Sequence, residues 1–191
     1  MIESLLTPSQ TIGPFFAYGL TPEQYSYAHH TVVGPALATD ETPGTPIWIT
    51  GQIFDGTGEA VEDAMIELRQ ADAEGRYESD APGFTGLGRM GTGTDAERRF
   101  RLRSVKPGVV QGQAPHIEVI VLMRGLLQHV YTRLYFSDEA EANAQDPVLQ
   151  QVPAERRPTL IAQRQPGAGT AVYRFDIHMQ GEQETVFFDW Q

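Results

Sequence analysis

From Pro46 onward the chain alternates between apolar and polar positions. Ile47, Ile49 and Ile53 fall on one side of an extended backbone, and Trp48, Thr50, Gln52 and Phe54 on the other. A period of two is what a half-buried strand requires. Ala64, Ile66 and Leu68 alternate with Met65, Glu67 and Arg69, and Phe100 and Leu102 continue the theme until Lys106-Pro107-Gly108 ends it. Asp55-Gly56-Thr57-Gly58 is a turn cluster. It predicts that the first two runs are neighbouring antiparallel strands. The cleanest alternation sets Tyr173, Phe175, Ile177 and Met179 against Arg174, Asp176, His178 and Gln180, and Thr185 to Phe188 closes it. Two further strands are expected between Ser104 and Phe136. One opens at His116; the other runs from Leu127 to Phe136, with His129, Tyr131, Arg133 and Tyr135 on one face.

Helical signals are sparse. Thr21-Pro22-Glu23-Gln24 has the form of a capping box with proline at the first helical position, which predicts one short turn. Ser137 is expected to cap a short helix with Asp138, Glu139 and Glu141 in its first turn, ending before Pro147. Residues 7–16 hold two prolines and a glycine, which preclude a regular helix or a central strand. They read as an extended arm ending in Phe15-Phe16. Residues 30–45 read as loop. The whole predicts a mainly β protein: an antiparallel β-sandwich over residues 46–191, short helices, and an N-terminal arm and loop over residues 1–45.

Composition narrows the function. The chain has 191 residues, 40% hydrophobic and 20% charged, which suits one domain with a substantial core. Its formal charge is −11, so nucleic acid is not an expected partner, and a small anionic ligand would need a local arginine to override the field. There is no cysteine, which removes disulfide and thiolate chemistry. The start carries no basic segment and no long apolar run, so neither secretion nor a membrane span is expected, and a cytoplasmic location is.

Several positions could carry chemistry. Gly86-Leu87-Gly88-Arg89-Met90-Gly91 matches G-x-G-x-x-G. No strand is expected before it and no helix after it, so it reads as a long glycine-rich loop and not a dinucleotide site. His116 and Glu118 are two apart on a strand and share a face, as half of a metal site would, with Tyr77 a possible phenolate partner. The alternative is a polar pocket in which these groups satisfy one another. Arg133 lies among apolar neighbours, so it needs either a carboxylate such as Glu118 or a pocket that receives an anionic ligand. No G-x-S-x-G is present.

One set of segments resembles a known family. Thr7-Pro8-Ser9-Gln10-Thr11-Ile12-Gly13-Pro14, Gly51-Gln52-Ile53-Phe54-Asp55-Gly56, Gln70-Ala71-Asp72, Lys106-Pro107-Gly108-Val109-Val110, Ala114-Pro115-His116-Ile117, Thr132-Arg133-Leu134-Tyr135-Phe136 and Tyr173-Arg174-Phe175-Asp176-Ile177 carry it, with Glu184 to Asp189 at the end. They resemble the alpha subunits of protocatechuate 3,4-dioxygenases, within the intradiol ring-cleavage dioxygenase family. The resemblance implies a β-sandwich paired with a homologous beta subunit in an alpha–beta protomer of a larger oligomer. It implies one Fe(III), held by two tyrosines and two histidines of the beta chain, and cleavage of a small aromatic substrate with O2 to 3-carboxy-cis,cis-muconate. Matched position by position, Tyr77 and His116 correspond to two of the ligands. Val110 stands for the second tyrosine and Glu118 for the second histidine, and Gln113 lies near a catalytic arginine position. The resemblance therefore implies no metal on this chain. It implies instead that Thr11, Gly13, Pro14 and Phe15 wall the partner's substrate pocket. Arg133 is a candidate for favouring the substrate carboxylate, facing either that pocket or the vestigial one of this chain. Two other readings stand beside it: a self-contained iron site of Tyr77, His116 and Glu118, and a transthyretin-like binding module.

Overall fold

Nineteen residues from both halves of a single curled sheet meet in the main core, among them Ile47, Ile49, Ile66, Leu68, Ile117, Val119, Leu134 and Phe136, all fully buried. The computed structural model describes residues 16–189. A short helix α1 (Phe16–Leu20) leads into a 3-10 turn (Pro22–Tyr25). Strands β1 (Pro46–Phe54), β2 (Met65–Arg69), β3 (Leu87–Gly91), β4 (Arg99–Val105), β5 (His116–Leu122) and β6 (Val130–Phe136) follow, then α2 (Ala140–Gln145), β7 (Ile161–Arg164), β8 (Ala171–Arg174) and β9 (Ile177–His178). The strand order is β3-β2-β5-β6-β7-β8-β1-β4, with β9 on β1. This is the mainly β, sandwich-like architecture that the alternation predicts. Burial follows the period-two rule: Ile47, Ile49 and Ile53 of β1 are 0% exposed.

The topology corrects several expectations. β1 and β2 do not pair. β1 lies between β4 and β8, and β2 between β3 and β5. The turn cluster does reverse the chain, with Asp55 Oδ1 accepting from the backbone N–H groups of Thr57 and Glu59. Thr92 Oγ1 then donates to the Val61 carbonyl, so the linker is tied to the half that holds β3 and crosses between the two halves. The sheet is also mixed. β6–β7, β1–β8 and β1–β9 are parallel, an orientation that alternation alone does not encode.

The glycine-rich segment is a strand and not a loop, since Leu87–Gly91 is β3 itself. A Cβ on Gly88 would sit 2.3 Å from Leu37 Cδ1. The missing side chain lets Leu37, fully buried, reach the core over β3. α1 was not expected. Its last turn is closed by Thr21, whose N–H and Oγ1 both donate to the Ala17 carbonyl at 2.8 Å. Thr21 thus ends α1, and the capping box does not form. Gln24 instead clamps the free edge of β3: its Oε1 accepts from Gly91 N–H at 2.8 Å and its Nε2 donates to Gly91 O at 2.6 Å. Ser137 does not cap α2 either. Its Oγ accepts from Arg164 N–H at 3.0 Å, and Glu139 occupies the cap position.

The last alternating run breaks at Phe175–Asp176, and Gly51 explains why. Phe175 N–H donates to Thr50 O at 2.8 Å. Asp176 Oδ1 then takes the Gln52 N–H at 3.1 Å, in place of a backbone carbonyl. A Cβ on Gly51 would stand 1.8 Å from the Phe175 carbonyl oxygen. Gly51→Ala is therefore expected to cost about 2–3 kcal/mol, the upper part of the overpacking range. A urea midpoint that falls with an unchanged m-value would show it; an unmoved midpoint would mean that the β1–β9 junction yields.

Candidate functional site

β5 places the chemistry. Ile117, Val119 and Val121 point into the core, so His116, Glu118 and Ile120 point outward. Register extends this outward face across the sheet. Glu118 stands opposite Arg69 of β2 and Arg133 of β6, and His116 stands opposite Tyr135. Tyr77 arrives from the loop after β2. That loop is built on Asp72, which is 3% exposed. Its carboxylate accepts from the backbone N–H groups of Glu74 and Arg76, the Arg76 guanidinium and the Ser79 hydroxyl, over 2.6–3.0 Å. Burial alone would raise the Asp72 pKa, but the bonds from Ser79, Arg76 and Glu74 outweigh it and hold it at about 2.

The site is closed by its own hydrogen bonds. His116 is 2% exposed, and its Nδ1 lies 2.8 Å from the Ala114 carbonyl oxygen. A carbonyl only accepts, so Nδ1 carries the proton, and the Nε2 lone pair faces the Tyr77 hydroxyl at 3.4 Å. Burial lowers the His116 pKa and keeps the ring neutral. Burial first, and then the Glu118 charge, push the Tyr77 phenol up to about 12. Glu118 is drawn toward Arg69, 3.8 Å away, whose guanidinium lies 5.0 Å from the Tyr77 ring centroid. Arg133, 5% exposed, donates through Nη1 to Gln113 Oε1 at 2.7 Å. Tyr135 donates to Asp146 Oδ1 at 3.1 Å, and Asp146 also accepts from the N–H groups of Ala114, Val148 and Leu149. Val110, 9% exposed, and Gln113 close a tight reversal through Gln111 and Gly112, both at positive φ.

These residues do not fit a ferric ion. His116 alone is arranged as a ligand would be, with Nδ1–H held by a carbonyl and Nε2 presented. Val110 has no donor atom, and Glu118 is engaged by Arg69. Among the described residues, no group of three His, Asp or Glu side chains could hold a metal.

The structure thus brings together Tyr77, Val110, Gln113, His116, Glu118 and Arg133, as the sequence suggested. It pairs Glu118 with Arg69 and not with Arg133. Thr11, Gly13, Pro14 and Phe15 lie outside the described residues. Tyr131, bonded to His129 at 2.6 Å, lines the hollow that Arg69 and Glu118 also border. Asp146 was missed. Asp146-Pro147 is a turn signature, an acceptor followed by proline, and Asp146 Oδ1 receives the Val148 and Leu149 N–H groups just ahead of the 3-10 turn Leu149–Gln151.

Comparison with known proteins places this geometry. A family model described as dioxygenase matches residues 14–181. The chain is 54% identical to the protocatechuate 3,4-dioxygenase alpha chain of Burkholderia cepacia, over 96% of each protein. It is 32% identical to the beta chain of the same enzyme from the same organism, over 82% of this chain and 73% of that one. Among solved structures it resembles the dioxygenase domain of a dioxygenase–carbohydrate-binding fusion from Streptomyces sp. SirexAA-E, with TM-score 0.59 and 24% identity over 81% of this chain and 89% of that one.

Asp72→Asn is expected to cost about 2 kcal/mol at pH 7, the value of moving a carboxyl from 3.8 to about 2. The carboxyl is depressed in the folded state, so its contribution is complete above about pH 4. It is lost as pH falls through about 2. Denaturation midpoints of the two proteins should therefore converge in acid. A gap independent of pH would show that Asp72 acts by shape and not by charge.

Proposed function

The chain belongs to the intradiol ring-cleavage dioxygenase family, and on that footing we propose that it is the iron-free, alpha-type subunit of an enzyme that opens protocatechuate. Its partner is a homologous beta chain that carries the Fe(III). In the reaction, dioxygen adds across the bond between the two hydroxyl-bearing carbons of the substrate. That bond breaks, both oxygen atoms are retained, and 3-carboxy-cis,cis-muconate forms. The iron, bound to the partner, supplies the activation of the ring toward dioxygen.

The observation that carries this reading is the state of the ligand positions. Val110 offers no donor, and the Tyr77 hydroxyl lies 3.4 Å from His116 Nε2, the nitrogen that a metal would need. A chain so closed needs a second chain for its chemistry, and the 32% identity to a beta chain supports a partner of similar fold. The same donor set argues against a self-contained iron site. Identity of 54% over 96% of an alpha chain argues against an independent binding module.

What this chain contributes is a wall. Thr11, Gly13, Pro14 and Phe15 line the partner's pocket, small and rigid enough at Gly13-Pro14 to approach a flat ring closely. Arg133, 5% exposed and bonded to Gln113, belongs to this chain's own filled pocket and not to that wall. The assembly is an alpha–beta protomer within a larger oligomer, in the cytoplasm. Among the described residues, no helix is long and apolar enough to cross a membrane.

Co-expression with the homologous beta chain is the direct test. Ring cleavage, one O2 consumed per substrate, and iron equal to the beta-chain content are expected, whereas this chain alone should hold no stoichiometric iron and show no visible tyrosinate-to-iron colour. Iron bound by this chain alone would overturn the proposal. Gly13→Trp is expected to lower turnover of the assembled enzyme at least about tenfold by obstructing the pocket, a loss of about 1.4 kcal/mol of transition-state stabilisation, with iron content unchanged. Unaltered kinetics in the assembled variant would remove the arm from the pocket.

A further inference from the structure

The outward face of the sheet carries a second feature beside the filled ligand positions. A hollow of about 330 Å³ lies there, bordered by Arg69, Glu118, Ile120, Tyr131 and Thr132. That volume is at the lower end of small-molecule pockets and suits a single ring. Register assembles the lining. Ile120 and Tyr131 stand opposite each other on β5 and β6, one rung along from Arg69, Glu118 and Arg133. Ile120 and the Tyr131 ring supply its apolar part, and Arg69 its cation.

Both sides of the hollow are held before anything enters it. The Tyr131 hydroxyl lies 2.6 Å from His129 Nε2, its ring stands edge-on to that imidazole with centroids 4.8 Å apart, and its carbonyl accepts from the Phe188 N–H at 2.8 Å. The Arg69 guanidinium lies 5.0 Å from the Tyr77 ring centroid. Arg69 is also the open cation of this face. Its side chain is 62% exposed, and its carboxylate neighbour Glu118 is 3.8 Å away, too far for a hydrogen bond. Arg133, by contrast, is buried and bonded to Gln113. The local charge favours an anion although the whole chain carries −11. On these two rungs the guanidinium groups of Arg69, Arg89 and Arg133 stand against the carboxylates of Glu67 and Glu118. Three against two leaves one positive charge, and Arg89 already takes Glu67 at 2.6 Å.

We propose that this hollow binds a monocyclic aromatic carboxylate, its carboxylate on Arg69 and its ring against Ile120 and Tyr131. A guanidinium can offer two parallel N–H groups to one carboxylate, and Glu118 at 3.8 Å holds neither. The apolar lining selects against an inorganic anion, and the cation selects against a neutral ring. Tyr131, fixed by His129 and Phe188, gives up little freedom when a ring packs on it. This is a site of binding without turnover, because Tyr77 and His116 face each other and not the hollow's ligand. It needs neither a metal nor a partner chain, so it does not rest on the functional reading above.

The test titrates the full-length chain, purified without a partner, with para-fluorobenzoate followed by fluorine NMR. Benzoate, benzamide and acetate serve as competitors. Saturable binding at one site per chain is expected, displaced by benzoate, with benzamide and acetate each at least about tenfold weaker. Arg69→Gln should weaken binding at least about tenfold. Arg69→Lys should weaken it less, because it keeps the charge and loses the fork. Tyr131→Ala should weaken it about three- to tenfold. Thermal midpoints near that of the wild type show that the variants fold; if one does not, the benzamide and benzoate comparison on the wild-type chain decides alone. Absence of saturable binding at millimolar probe would overturn the proposal. So would benzamide binding as tightly as benzoate, which marks a plain apolar cleft, or acetate doing so, which marks a surface arginine contact. Binding unweakened in a folded Arg69→Gln chain would place the probe elsewhere and overturn it too. None of these results touches iron content or ring cleavage in the co-expressed complex, so failure here leaves the functional reading standing.

Discussion

β5 is held on both sides by antiparallel neighbours, so each of its side chains has only two places to go. The inward set of Ile117, Val119 and Val121 is fully buried. A slip of one residue would bring Glu118 into that core and turn three aliphatic side chains out to water. Burying an ionised carboxylate without a partner costs several kcal/mol, and exposing each aliphatic side chain costs about 1.5–3 kcal/mol more. The register is therefore not negotiable. Once it is fixed, Glu118 must meet the rungs of Arg69 and Arg133, and His116 must face Tyr135.

That constraint explains why a site without its chemistry stays intact. Arg133 and Tyr135 are both buried polar groups on the outward face, and either would be costly without hydrogen-bond partners. Gln113 meets the guanidinium and Asp146 meets the phenol. Asp146 in turn ties down Ala114, the residue whose carbonyl sets the His116 tautomer. Both ring nitrogens of His116 thus face a partner. The imidazole keeps the orientation that a metal would require, now answered by a protonated phenol.

How much of this was readable in the chain follows from which physical signals are local. The inward faces of β1, β2, β4, β5 and β6 came from period-two alternation, because burial on one face leaves that mark on sequence directly. Pairing did not. β1 and β2 look like a hairpin because a turn follows β1, yet the partners of each strand are decided by tertiary closure of the sheet. β3 was hidden because Gly88 and Gly91 carry no side chain to show a period. Their strand character comes from Leu37 and Gln24, far away in sequence. The correspondence of Val110 and Glu118 to ligand positions rests on the resemblance alone. The network that fills the gap was not legible, since Asp146 lies ten residues beyond β6 and reaches Tyr135 only through the fold. The arm residues Thr11 to Phe15 rest on the resemblance alone.

The two halves of this chain's role meet on one rung of the sheet. Arg89, Glu67, Ile120 and Tyr131 stand side by side across β3, β2, β5 and β6. Glu67 and Arg89 anchor α1 through the Leu20 carbonyl. The next rung carries Arg69, Glu118 and Arg133. Whatever fixes β5 therefore fixes both the filled pocket and the base on which α1 sits. A metal site would have to open to admit substrate and ion, and opening loosens the strands and loops that line it. A filled one does not, so the strands and loops around it stay tied to one another. On this argument the closed site is a structural asset of the chain, because the same strands hold rigid the base on which α1 rests.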